Sequence, residues 1–164
     1  MARVTAHPLP SKSALHDRFE PGDFLDCFAV AATASPREAA EIITSFPGWA
    51  QALVQLRRAV TAPFGLKNDP PADAKDVIGI FPVESESARE LIAGFDDKHL
   101  NFRISVMQED GLLTLATWVH PHNFGGRIYL KTIMPFHILI ARDALARVAK
   151  LDAGQDAEGA LGTR

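Results

Sequence analysis

Two aspartates, a lysine and a histidine occupy consecutive positions, Asp96-Asp97-Lys98-His99, inside the stretch Gly94 to Val106 and between two apolar runs. No other segment of the chain concentrates so much proton-transfer and anion-binding chemistry. An unperturbed imidazole titrates near ~6.5, so His99 beside a carboxylate that orients it is a candidate general acid or base. Asp97 and His99 are therefore the candidate catalytic pair, with Asp96 and Lys98 as candidate ligand-binding groups. The same four residue types are also what a polar hairpin turn uses, and that plainer reading stands beside the first.

A second group follows the next apolar run. His120 and His122 lie two apart, which on a strand places both on one face as metal ligands would be. Pro121 between them signals that the strand has ended, and with no compact third ligand assured, no metal is expected. Asn123 can cap a helix whose first turn holds Gly125, Gly126 and Arg127. Free backbone donors there, with glycines permitting close approach and a cation beside them, could hold an anion. Arg103 and Trp118 complete the candidate ligand-binding set. Arg103 alternates with Phe102, Ile104 and Val106 and also suits a cross-strand salt bridge, while Trp118 and Tyr129 also suit core or interface positions. His137 reads as a satisfied core histidine.

The elements that must position these groups follow from patterning. Phe24 to Ala32 is an apolar run of strand length bounded by Gly22 and by Ser35-Pro36. Ser35, Pro36 and Glu38 then form a capping box with proline in the first turn, so a helix starts there, with Ala39, Ile42, Ile43 and Phe46 as its stripe. Trp49, Leu53, Leu56 and Val60 predict a second short helix, and Leu66 to Asp76 a polar loop. Four strand-length runs come next, VIGIFPV from Val77, Glu90 to Phe95, Leu100 to Met107 and Leu112 to His120, separated by short polar breaks. An antiparallel meander is the simplest arrangement, and it carries the Asp96–His99 break to the same sheet end as His120, His122 and Asn123. A last helix, roughly Phe124 to Lys150, contains Pro135 and is expected to bend near Lys131 to Pro135.

These expectations define one α+β domain over residues 23–151, with an extended N-terminal arm at 1–22 and a flexible tail at 152–164. The chain of 164 residues is long enough for one sizeable core. A net charge of -3 offers no basic surplus to neutralise phosphates, so nucleic acid is not an expected partner. No segment approaches the ~20 apolar residues of a membrane span, so no membrane and a cytoplasmic location are expected. Cys27 stands alone in a strand-like context and reads as a buried, inert thiol. Strands apolar on both parities imply either an extra covering layer or self-association, and a homodimer is one way to satisfy them.

The element order resembles the helix-grip fold of the START-like superfamily, in which a curved antiparallel sheet wraps a long C-terminal helix. At the level of motifs the chain resembles the bacterial domain of unknown function 2867 family over about Phe24 to Lys150. The matching residues are Trp49 with Leu53 to Arg57, Pro63 to Leu66, Gly94 to Leu100, His122-Asn123, Gly126 to Leu130 and Pro135 to His137. The resemblance implies stand-alone proteins or modules fused to nucleotide-binding oxidoreductases, and it implies no particular reaction. No GxGxxG follows a strand here, and no cofactor is expected. Three function classes are consistent with the residues. The first is a binder of, or enzyme for, a small apolar or amphipathic molecule, with an apolar pocket between sheet and bent helix closed at its polar end by Asp97, His99 and Arg127. The others are a metal-dependent enzyme using His99, His120 and His122, and an interaction module for a partner enzyme.

Overall fold

The computed structural model describes residues 3–45, 48 and 74–161. The strands are β1 (Thr5–Ala6), β2 (Phe24–Ala31), β3 (Val77–Ile78), β4 (Phe81–Glu86), β5 (Glu90–Asp96), β6 (Leu100–Glu109) and β7 (Leu112–Pro121). Two α-helices accompany them, α1 (Pro36–Thr44) and α2 (Phe124–Leu161), with a short 3-10 turn at Ala14–Asp17. The strands form one curved, open antiparallel sheet of order β1-β2-β7-β6-β5-β4-β3. The expected second helix around Trp49 to Val60 lies outside the described residues.

Sheet parity sorts the core into two faces. Phe28 and Val30 of β2, Leu113 and Leu115 of β7, and Ile104 and Val106 of β6 share one cluster with Ala141, Ala144, Leu145 and Val148 of α2 and with Ala39, Ala40 and Ile43 of α1. Alanines at four of those helix positions let the backbones approach closely. The opposite face buries Cys27, Ile92, Ala116 and Trp118 under Leu15, with Leu9 and Leu25 packed alongside. This is the covering layer that two-sided strands require, and it comes from the chain's own N-terminal segment. Leu15 is fully buried, a contact worth roughly 1.5–3 kcal/mol.

The N-terminal segment is also held by polar contacts. Glu90 accepts hydrogen bonds from Ser13 Oγ and Ser105 Oγ, each at 2.6 Å, and from the Ala14 amide at 3.0 Å. Glu90→Ala is expected to loosen residues 3–18 without unfolding the sheet, seen as faster amide exchange and new protease cuts confined to that segment.

α1 begins as its sequence dictates, with Ser35 and Glu38 in a reciprocal capping box and Pro36 in the first turn. Its other end is closed by α2, for Arg147 donates to the carbonyls of Ile42 at 2.8 Å and Ser45 at 2.9 Å. Those carbonyls belong to the last turn, where intrahelical donors run out. Arg147→Met is expected to cost about 1–3 kcal/mol in urea unfolding, and Arg147→Lys to recover little of it, because an ammonium cannot present the same planar fork.

Two expectations change in detail. The run from Val77 to Val83 is a tight hairpin, β3 pairing β4 with Ile78 opposite Phe81. It turns at Gly79, whose φ of +60° favours glycine and where a Cβ would lie 2.9 Å from Thr44 Cβ. α2 runs through Pro135 as expected, but goes past the expected end at Lys150 to Leu161.

Candidate functional site

The β5–β6 turn and the start of α2 meet at one end of the sheet. Asp97 is buried, and its Oδ1 accepts the amides of His99 at 2.8 Å and Leu100 at 3.0 Å, while Oδ2 has no hydrogen-bond partner among the described residues. Asp97 thus binds the His99 backbone rather than its imidazole. Asn123 caps α2 as expected, its Oδ1 accepting the Gly126 amide at 2.9 Å and lying 3.3 Å from His99 Nδ1. Its Nδ2 donates to the Lys98 carbonyl at 3.1 Å. A Cβ at Gly126 would lie 2.2 Å from the His99 carbonyl oxygen, so the helix start is set directly on the turn. The Gly126 donor proposed for an anion is therefore engaged by Asn123. Arg127 is exposed, and its guanidinium meets no acceptor among the described residues. Asp97 Oδ1 is thus taken up by the amides of the turn itself. Between the sheet and the first half of α2 lie Leu100, Val119 and Leu130, with Phe24, Phe102, Tyr129 and Met134 against them.

The chemistry gathers instead on the outer face of the same sheet end. Register sets Asp96, Asn101 and His120 in one row across β5, β6 and β7, and Gly94, Arg103 and Trp118 in the next. Asp23, in the turn before β2, reaches over both rows. Its side chain is only 2% exposed, with Oδ1 at 2.6 Å from His120 Nδ1 and Oδ2 accepting Trp118 Nε1 at 2.8 Å and the Glu20 amide at 2.9 Å. Burial pushes the Asp23 carboxyl up, but the bonds from Glu20, His120 and Trp118, together with the nearby imidazole, outweigh burial and hold it below the usual carboxylate range. A carboxylate on Nδ1 fixes the tautomer and leaves His120 Nε2 as the unshared ring nitrogen. His120 is partly exposed, so that nitrogen is within reach of a ligand.

His122 stands beside it, the two rings 5.5 Å apart, with its Nε2 at 2.6 Å from Asp96 Oδ1. Arg103 lies beneath, bonded to Glu84 at 2.5 Å, to Asn101 at 2.7 Å and to the Phe102 carbonyl at 2.8 Å. Glu84 also pairs with Arg18, which ties the N-terminal segment to this corner. Burial lowers the Arg103 guanidinium from its usual range, against the nearby charge of Asp96. Trp118 is buried and serves as a donor to Asp23, so its indole supports the site from below.

Other titratable groups have plainer roles. His137 of α2 bonds Asp26 of β2 at 3.0 Å and stacks edge-on to Phe24, joining helix to sheet as a satisfied histidine. The Cys27 thiol is pushed up to about 12 by burial and by the charge of Asp26, which makes it unreactive. Among the described residues, no cluster of three or more histidine, cysteine or acidic side chains has the geometry to hold a metal ion. A cavity of about 330 Å³ lies at the far end of α2, lined by Ala34, Ile42, Val148 and Leu151 and rimmed by Glu38, Glu41 and Asp152. Asp23 is the residue sequence reasoning missed. It precedes a strand by one position, and only the pairing of Phe24 with Val119 reveals that it must stand over His120.

The fold and this polar corner define a class: an α+β domain in which a curved antiparallel sheet carries a short helix and a long C-terminal helix on one face, with a carboxylate–imidazole pair on the other. The chain matches the family described as protein of unknown function (DUF2867) over residues 19–155 and belongs to that family. No curated protein and no solved structure matches it significantly.

Proposed function

We propose that this chain is a small-molecule-binding domain whose working group is His120, held by Asp23 and flanked by His122 and Arg103. The observation that carries this reading is the near-complete burial of Asp23 against a half-exposed imidazole at 2.6 Å. The Glu20 amide belongs to the turn that Asp23 closes, but the bonds to Trp118 and His120 reach across to β7 and hold the imidazole as the orienting carboxylate of a general base does. We assign the acid–base role to this pair in preference to Asp97 and His99, because Asp97 Oδ1 is bonded to backbone amides. The topology supports the START-like likeness as well, since β2 lies beside the last strand β7 and the remaining strands follow in order before the terminal helix.

Long-range proton–nitrogen NMR is expected to show His120 protonated at Nδ1 near neutral pH. A ligand-observed screen of small polar metabolites on wild type and His120→Gln then tests function. Compounds that bind wild type and lose binding in His120→Gln support the site, and a screen whose binders all persist in the variant removes it. One observation favours a second reading, an amphipathic ligand in the 330 Å³ cavity between α1 and α2. In that case Leu151→Glu abolishes binding and His120→Gln does not.

A further inference from the structure

We propose that the outward face of the first half of α2 binds the surface of an anionic lipid bilayer. Phe124 is 76% exposed, Leu139 61% and Ile128 52%, and Phe136 and Ile138 are exposed with them. At about 100° per residue, these five side chains run from Ile138 through Phe124, Ile128 and Leu139 to Phe136 over an arc of about 160°. The inward face of the same helix is already buried at Leu130, Ala141, Ala144 and Leu145. The outer arc is therefore a second apolar surface that the fold of the described residues leaves uncovered.

Charge identifies what fits it. From Phe124 to Arg142 the chain contains no acid, and Arg127 and Lys131 stand exposed along one edge of the arc. Asp143, the first acid beyond that stretch, is paired with Arg147, although the whole chain carries a net charge of -3. A second copy is a poor match, because two-fold antiparallel pairing sets like edges together and would bring Arg127 and Lys131 against cations of the partner helix. A single partner helix covers a stripe about 100° wide and would leave part of the arc wet. A bilayer accepts a wide apolar arc at its acyl boundary while anionic headgroups meet the flanking cations. Such contact needs no span, and no described helix is long and apolar enough to cross a membrane.

Vesicle co-sedimentation at low salt tests the proposal with phosphatidylcholine–phosphatidylglycerol vesicles against pure phosphatidylcholine. The full chain is expected to sediment with the anionic vesicles and not with the neutral ones. Leu139→Glu and Phe136→Glu, both at exposed positions and checked for an unchanged melting temperature, are expected to abolish sedimentation. Arg127→Gln with Lys131→Gln is expected to weaken it about thirtyfold, the effect of two surface cations. Failure to sediment with anionic vesicles, equal sedimentation with neutral ones, or full binding by Leu139→Glu would each overturn it. A concentration-dependent dimer in sedimentation velocity that Leu139→Glu dissolves would assign the face to a second copy instead.

Discussion

Replacing Gly94 by alanine is expected to destabilise the domain by about 3 kcal/mol or more, beyond the ordinary cost of overpacking. A Cβ at this position would lie 2.1 Å from the Phe102 carbonyl oxygen and 2.9 Å from Arg103 Cα. Both are backbone atoms of β6, the strand to which β5 is paired, so neither can yield without separating the strands. Arg103 Cδ, at 3.0 Å, would be displaced too, and with it the bonds to Glu84 and Asn101. The expected result is a large fall in urea midpoint together with altered NMR shifts at Trp118 and His120. A variant that folds with wild-type stability would show that β5 and β6 approach less closely at this point.

Asp23→Ala is the second large effect, expected to cost about 1–3 kcal/mol, because it removes the acceptor shared by three donors, of which the Trp118 indole is left without a partner in a largely buried position. It should also free the His120 ring to change tautomer, which NMR reads independently of stability. The pH dependence has a definite sign. A carboxyl held below its unfolded value, about 3.9, contributes stability that is fully present above that value. The contribution is lost as pH falls through the folded value. Wild type should therefore lose stability as pH falls below about 4, and Asp23→Asn should show a shallower acid limb, since it has no proton to take up at this site. Parallel acid limbs in the two proteins would mean that the Asp23 carboxylate is not the titrating group.

Much of the architecture is legible from local chemistry. Ser35, Pro36 and Glu38 fix the start of α1 without help from the rest of the chain, and Asn123 does the same for α2. Three of the four strand-length runs after Val77 become β5, β6 and β7, because unbroken apolar runs of strand length and turn residues such as Asp110-Gly111 act within a few positions. The hairpin at Gly79 was hidden because VIGIFPV is apolar throughout, so periodicity could not show where it folds back. The docked N-terminal segment was hidden for another reason. Leu15, Ser13 and Thr5 owe their order to partners far along the chain, Trp118, Glu90 and Ala29 among them, and nothing in their own neighbourhood signals it.

The candidate site divides along the same line. The meander argument brings His120, His122 and Asn123 to the Asp96–His99 end, and the structure has His122 beside Asp96 and Asn123 beside His99. Which groups turn inward depends on competition for backbone donors. Asp97, two residues before His99, is captured by the turn it initiates, and that contest favours the local bond over any distant ligand. Asp23 has no such local claim beyond one amide and is left to orient an imidazole.

Both margins of the sheet are formed by strands of two residues, β1 and β3. An open sheet ordinarily offers its outermost backbone as a template for another chain, and brevity is one of the ways proteins guard against fibril growth. Here the guard on one side is Thr5–Ala6, which covers the eight-residue strand β2 at Phe28 and Ala29. A cut that removes those few residues would uncover a long, apolar margin ready for edge-to-edge addition. The N-terminal segment thus acts as a stopper against polymerisation, and protease trimming there endangers solubility before it endangers the fold.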